Sequence, residues 1–203
     1  MEEATALGVS INATVSFTVA QSLAVAEAVE RGLERAKKNG IDITRMSPIC
    51  TIMVGRLDDW VKISGEKAKV VSDPGYVDWA GVAAFKRAYQ IYIKKGYRTR
   101  LLSAAYRNHL HWSELIGGEV SMTIPYGWQV KFNKSDITVE DRLSTPVDEK
   151  IINWLADELD MNRTTISKWC RNDMQPRVET LFQIEYRHCL CQSTLLSRKQ
   201  SLE

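Results

Sequence analysis

The sequence predicts an α/β protein of parallel strands and crossover helices, followed by a small all-α segment. Three observations carry this. Short runs rich in β-formers alternate with longer runs of helical periodicity. Polar side chains stand at the strand ends, where a fully buried parallel strand is apolar. The text then changes character near residue 150, which divides the chain into 1–150 and 151–203. Alternating strands and helices suit an open doubly wound sheet or part of a closed barrel equally, and composition does not separate the two.

The elements follow in order. Ser10 to Phe17 (SINATVSF) reads as a strand and passes straight into VAQSLAVAEAVERGLERAKKNG, whose apolar residues keep helical spacing until Gly40. Ile49 to Val54 reads as a second strand. A polar loop carrying Lys62, Lys67 and Lys69 and running past SDPG leads to a helix over about Val77–Lys95, with Phe85, Ala88, Tyr89 and Tyr92 on one face. Thr99 to Tyr106 is a third strand, Trp112 to Ile116 a short helix stopped by Gly117-Gly118, and VSMTIPY a fourth strand closed by Pro125. FNKSDITVEDRLSTPVDEKI reads as a closing segment.

With 203 residues and 44% apolar content the chain has enough to build a real core, and its formal charge of +2 attracts neither nucleic acid nor an anionic membrane by itself. No apolar stretch reaches the roughly 18 residues of a membrane span. The four cysteines are not spaced as a secreted disulfide framework, and the N-terminus lacks signal-peptide character, so a cytoplasmic protein with free thiols is expected. No glycine-rich nucleotide loop follows any strand, and no cofactor is expected. His188, Cys189 and Cys191 lack a second ligand pair, so no metal is expected either. His109 and His111 follow the third strand and receive no role.

At the strand ends stand Asn12 and Thr14, then Thr51, then Arg107 and Asn108, and the second strand finishes with VGRLDDW, which brings Arg56. Two arginines reaching one rim from different strands can grip a phosphate as planar bidentate donors. Solvated rim residues or structural ion pairs have the same appearance. The ordered motifs INATVSFTVAQSLAVAEAVERGLE, CTIMVGRLDDW, LLSAAYRNHLHW and GGEVSMTIPY resemble the second half of transaldolase-like class I aldolases, over about Glu2 to Leu155. The resemblance implies a partial (β/α)8 TIM barrel comprising the last four βα units. It implies that Asn12 and Thr14 support the carbonyl chemistry and that Arg56 and Arg107 hold the phosphate of a phosphorylated sugar. Thr51 and Met53 stand where the family usually has a serine and an aromatic, and Ala105 where it often has a serine.

The resemblance implies that the Schiff-base lysine belongs to the fourth strand of the barrel, and the expectation is that this chain begins just after that strand. None of the four predicted strands contains a lysine, and a whole barrel takes about 250 residues. The expectation is a half barrel, catalytically deficient alone. Its outer strands should self-associate or take up a complementing half.

From about Asn153 to Leu196, LADELDMNRTTISKWCRNDMQPRVETLFQI resembles the helix-turn-helix of the phage-repressor and Cro-like family. That resemblance implies a recognition helix presenting Arg163, Thr164, Thr165 and Lys168 to DNA, while an amphipathic helix pair with a solvated face has the same spacing. The functional expectation is a transaldolase-family protein of carbohydrate metabolism. The alternatives are a DNA-binding transcriptional regulator with an aldolase-derived sensor or dimerisation half, and an accidental fusion of gene fragments.

Overall fold

The computed structural model describes residues 1–67, 73 and 75–158. After a short helix α1 (Glu2–Ala6), β1 (Asn12–Ser16) feeds α2 (Val19–Lys38). Thr18 starts α2 through a capping box: its hydroxyl accepts the Gln21 N–H at 3.2 Å, and the Gln21 side-chain oxygen accepts the Thr18 N–H at 3.1 Å. Val19, Leu23, Ala26, Val29, Leu33 and Ala36 recur at helical spacing and are buried. Gly40, at φ 73°, supplies the left-handed turn beyond the helix end. Thr18→Ala is expected to cost about 1 kcal/mol, readable as a lower denaturant midpoint.

β2 (Ile49–Met53) leads without a loop into α3 (Val54–Lys67). VGRLDDW is therefore not a strand end, and Lys62 lies on a helix, paired with Asp78 at 2.6 Å, not in a polar loop. A 3-10 turn (Tyr76–Trp79) and α4 (Ala80–Lys95) form the next helical unit, stopped by Gly96 at φ 65°. β3 (Arg100–Ala104), α5 (Leu110–Ser113), β4 (Ser121–Met122), α6 (Tyr126–Asn133) and α7 (Glu149–Glu158) complete the described chain.

The four strands form one parallel sheet in the order β1-β2-β3-β4. Ala13, Cys50 and Leu101 lie in register, as do Ser16, Ile52 and Ser103. Cys50, Ile52 and Leu101 pack with Leu23 of α2 and Val82, Phe85 and Ala88 of α4 in the main core. Alternation sends Thr51, Met53, Leu102 and Ala104 to the opposite face. The β1–β2 register shifts between Ala13 and Ser16, a bulge that leaves both Thr14 and Val15 exposed.

The predicted fourth strand is longer than the observed one. β3 ends at Ala104 because Ala105 turns away at φ 65°, so VSMTIPY finds ladder partners over Ser121–Met122, plus one bond from the Thr123 N–H to the Ser103 carbonyl. Pro125 then opens α6. A second cluster joins Ile151 and Leu155 of α7 to Val77 and Ala80, with Leu57 and Val61 of α3 against it. Lys86, buried within α4, donates to Glu114 at 2.9 Å and to the Thr145 carbonyl at 3.0 Å, which ties the segment before α7 to the sheet-covering helices. Among the described residues no helix is long and apolar enough to cross a membrane.

Candidate functional site

Both candidate phosphate-binding arginines issue from the carboxyl end of the sheet. Arg56 lies in the first turn of α3, three residues beyond β2, and Arg107 lies three residues beyond β3. Gly55 brings these segments together. A Cβ built there would meet the Ala105 carbonyl oxygen at 1.9 Å and the Arg107 Cγ at 2.7 Å. The backbone of α3 thus slides beneath the turn after β3, and the aliphatic stem of Arg107 crosses the residue before Arg56.

The turn itself is held in a conformation that costs energy. Ala105 is the non-glycine residue with positive φ among the described residues, and a left-handed L-residue is disfavoured by roughly 1–2 kcal/mol. Ala105→Gly should raise stability by about 0.5–1 kcal/mol, less than the full relief because glycine also gains unfolded-chain entropy. Equilibrium denaturation checks it. Tyr106 points inward and shares a 2.7 Å hydrogen bond with the Ser103 hydroxyl; burial pushes its phenol up to about 12. Arg107 points outward, its Nε donating to Asp59 Oδ2 at 3.0 Å and its Nη1 to the Ala105 carbonyl at 3.2 Å. Its Nη2, and the whole guanidinium of Arg56, make no hydrogen bond or ion pair among the described residues, which leaves donors for an anion.

Beneath the rim lies a polar network that the sequence reading passed over. Asp58 is fully buried, yet its Oδ1 accepts the Gly81 N–H at 2.7 Å, and its Oδ2 receives His111 Nε2 at 2.6 Å and Asn108 Nδ2 at 3.2 Å. Burial pushes the Asp58 carboxyl above the ordinary carboxylate value, while the His111 hydrogen bond and the Gly81 N–H pull it down. His111 is also fully buried, and its Nδ1 accepts the Arg107 backbone N–H at 3.0 Å. A ring nitrogen that accepts carries no proton, so the network assigns the proton to Nε2, which donates to Asp58.

Asn12 and Thr14 do not stand at the carboxyl end as expected. Asn12 opens β1 and Thr14 is its middle residue, because the strand begins two residues later than read. Both side chains are exposed, and Asn12 Oδ1 accepts a 2.8 Å hydrogen bond from the Thr51 hydroxyl on β2. The structure thus joins Asn12 to Thr51 on the sheet and joins Arg107 to the edge of the Arg56 helix at the rim. β1 to β4 contain no lysine. Among the described residues no group of three or more His, Cys, Asp or Glu side chains is arranged to hold a metal ion.

Arg163, Thr164, Thr165 and Lys168, read as a DNA-contacting helix, lie outside the described residues, as do His188, Cys189 and Cys191. Of the stretch read as helix-turn-helix, residues 153–158 are described, and they are the end of α7.

A family model, Transaldolase/Fructose-6-phosphate aldolase, matches residues 1–184, a span that takes in most of the stretch read as helix-turn-helix. The transaldolase of Pseudoalteromonas atlantica (strain T6c / ATCC BAA-1087) is 28% identical over 189 residues, covering 87% of this chain and 52% of the relative. Transaldolase NQM1 of Saccharomyces cerevisiae (strain ATCC 204508 / S288c) is 29% identical over 139 residues, covering 68% of this chain and 34% of the relative. The transaldolase of Thiobacillus denitrificans (strain ATCC 25259 / T1) is 28% identical over 144 residues, covering 61% and 40%. The chain spans about half or less of the length of these curated relatives.

Proposed function

The chain belongs to the Transaldolase/Fructose-6-phosphate aldolase family, and from that premise we propose that it carries the sugar-phosphate-gripping part of a transaldolase-type site. Arg56 and Arg107 hold the phosphate, and Asn12 and Thr14 face the reacting carbons, with Thr51 fixing the orientation of Asn12. The observation that carries this reading is the contact at Gly55. It sets cationic side chains from the ends of two neighbouring strands on one rim, each with unused donors.

In this reading β1 to β4 are four strands of an eight-stranded barrel, and the chain alone does not turn over sugar phosphates, since none of these four described strands supplies the Schiff-base amine. A second, lysine-bearing half, pairing along β1 and β4, completes the site. Association between copies of this chain would use the same strand edges.

Two measurements test it. Titration with fructose 6-phosphate should give saturable binding that weakens at least tenfold in Arg56→Ala and in Arg107→Ala, about the loss of one charge-assisted hydrogen-bond pair. Unchanged affinity in both variants would remove the phosphate assignment. Borohydride reduction in the presence of the same sugar should leave the intact mass of the chain unaltered. A stable adduct would locate an amine nucleophile in this chain and overturn the deficiency.

A further inference from the structure

We infer that His111 is a positioning residue for Arg107: held in one tautomer by buried Asp58, it clamps the Arg107 backbone N–H and so fixes where that guanidinium meets the substrate phosphate. The inference rests on the phosphate-site reading above and extends it to a pair of residues that no contact with substrate would reveal.

The geometry is directional. Asp58 sits on α3 with both oxygens committed, one to Gly81 at the start of α4 and one to His111 at 2.6 Å. An acceptor on that side requires the proton on His111 Nε2, which leaves Nδ1 as an acceptor facing the Arg107 N–H at 3.0 Å. The other end of the same turn is pinned by Ala105, whose carbonyl rests against Gly55 and whose φ is 65°. Arg107 is therefore held on its N-terminal side by a packed carbonyl and at its own amide by the imidazole. Its half-exposed side chain is held by Asp59 and by the Ala105 carbonyl, so the backbone that the imidazole fixes sets where the guanidinium lies. A long cation grips an anion well only when little of its freedom is lost on binding.

The two ring nitrogens have separable mimics. In His111→Asn the side-chain oxygen stands in for Nδ1, which keeps the acceptor for Arg107 and gives up Asp58. In His111→Gln the terminal amide stands in for Nε2, which keeps a donor to Asp58 and gives up Arg107. Positioning predicts that His111→Gln binds inorganic phosphate about tenfold more weakly than the unaltered chain, the scale of a mispositioned charge-assisted contact. His111→Asn keeps the affinity although it is less stable to denaturant. A purely structural histidine gives the reverse order, affinity following stability.

The experiment is a phosphate titration followed by NMR, with hydrogen exchange of the Arg107 amide read in the same samples. Exchange should be slow in the unaltered chain and in His111→Asn, and fast in His111→Gln. Equal protection and equal affinity in folded His111→Gln would overturn the inference. Should His111→Gln not fold, the ring nitrogens of the unaltered protein decide, and a proton found on Nδ1 would equally overturn it. Arg107→Ala separates the two layers. If it binds phosphate like the unaltered chain, the phosphate-site reading fails. If it loses binding while His111→Gln does not, the site stands and the clamp fails.

Discussion

Asp58→Ala should destabilise the protein by about 4 kcal/mol, a loss on the scale of removing one partner from a buried hydrogen-bonded charge network. The carboxylate is fully buried and answers three donors: the Gly81 amide, His111 Nε2 and Asn108 Nδ2. Alanine strands the Gly81 and His111 donors away from water, while part-buried Asn108 keeps the Asp78 carbonyl at 3.3 Å; each buried donor left without a partner costs about 1–3 kcal/mol, partly recovered by relaxation. Asp58→Asn should fall about midway, because one oxygen survives while the amide turns a donor toward another donor. The neighbouring Asp59 is the control. Its side chain is 43% exposed and pairs with Arg107, so Asp59→Ala should change stability by less than about 1 kcal/mol. Equilibrium denaturation of the four proteins reads all of this, and an Asp58→Ala midpoint within error of Asp59→Ala would mean that the network is not what joins α3 to α4 and to the turn after β3.

Gly55→Ala should cost about 3 kcal/mol or more. The added methyl would stand 1.9 Å from the Ala105 carbonyl oxygen and 3.1 Å from its carbonyl carbon. A flexible side chain could move aside, but here the neighbour is backbone, in a turn fixed at both ends. Relief requires α3 and the turn to separate by more than an ångström, which is overpacking at its most costly. The same movement displaces the Arg107 stem, 2.7 Å from the new methyl. Phosphate affinity should therefore fall together with the denaturation midpoint. A Gly55→Ala protein of normal stability would show that the contact opens without penalty.

The strands and helices that the sequence makes legible are those whose periodicity is clean. In α2 the buried Val19, Leu23, Ala26, Val29, Leu33 and Ala36 keep helical spacing, and its start and stop are written in Thr18, Gln21 and Gly40. α3 was missed for a physical reason. Its inward face includes Asp58 beside Leu57 and Val61, and a buried acid counts as polar in any tally of hydrophobic spacing. An acid lying in an apolar stripe is itself a signal that some donor awaits it. α6 is hard to read because it has no fully buried residue and touches the core through Trp128 and Phe132, two positions in a short helix.

The position of Arg56 and Arg107 beyond the carboxyl ends of β2 and β3 is legible from their motifs, whereas the buried seat of His111 is not. Its partner lies 53 residues earlier in the chain, and nothing local distinguishes a histidine bound to a buried acid from one on the rim. Asn12 and Thr14 are expected at the end of their strand, whereas Asn12 opens β1 and Thr14 is its middle residue. The reading began β1 at Ser10, whereas the ladder begins at Asn12.

The order β1-β2-β3-β4 repeats the order of the chain, and every strand is parallel to its neighbour. None must thread between two strands that are already paired. A sheet of this order can be built along one advancing border, and a nascent chain emerges at about 5–20 residues per second. The intervals are long, since Asn12 waits for Ile49 and Ile49 for Arg100, and such distant pairings make for slow closure. If the sheet forms as the chain emerges, its unfinished border stays exposed for seconds, and that interval is when the chain is most open to capture by a chaperone or by another strand.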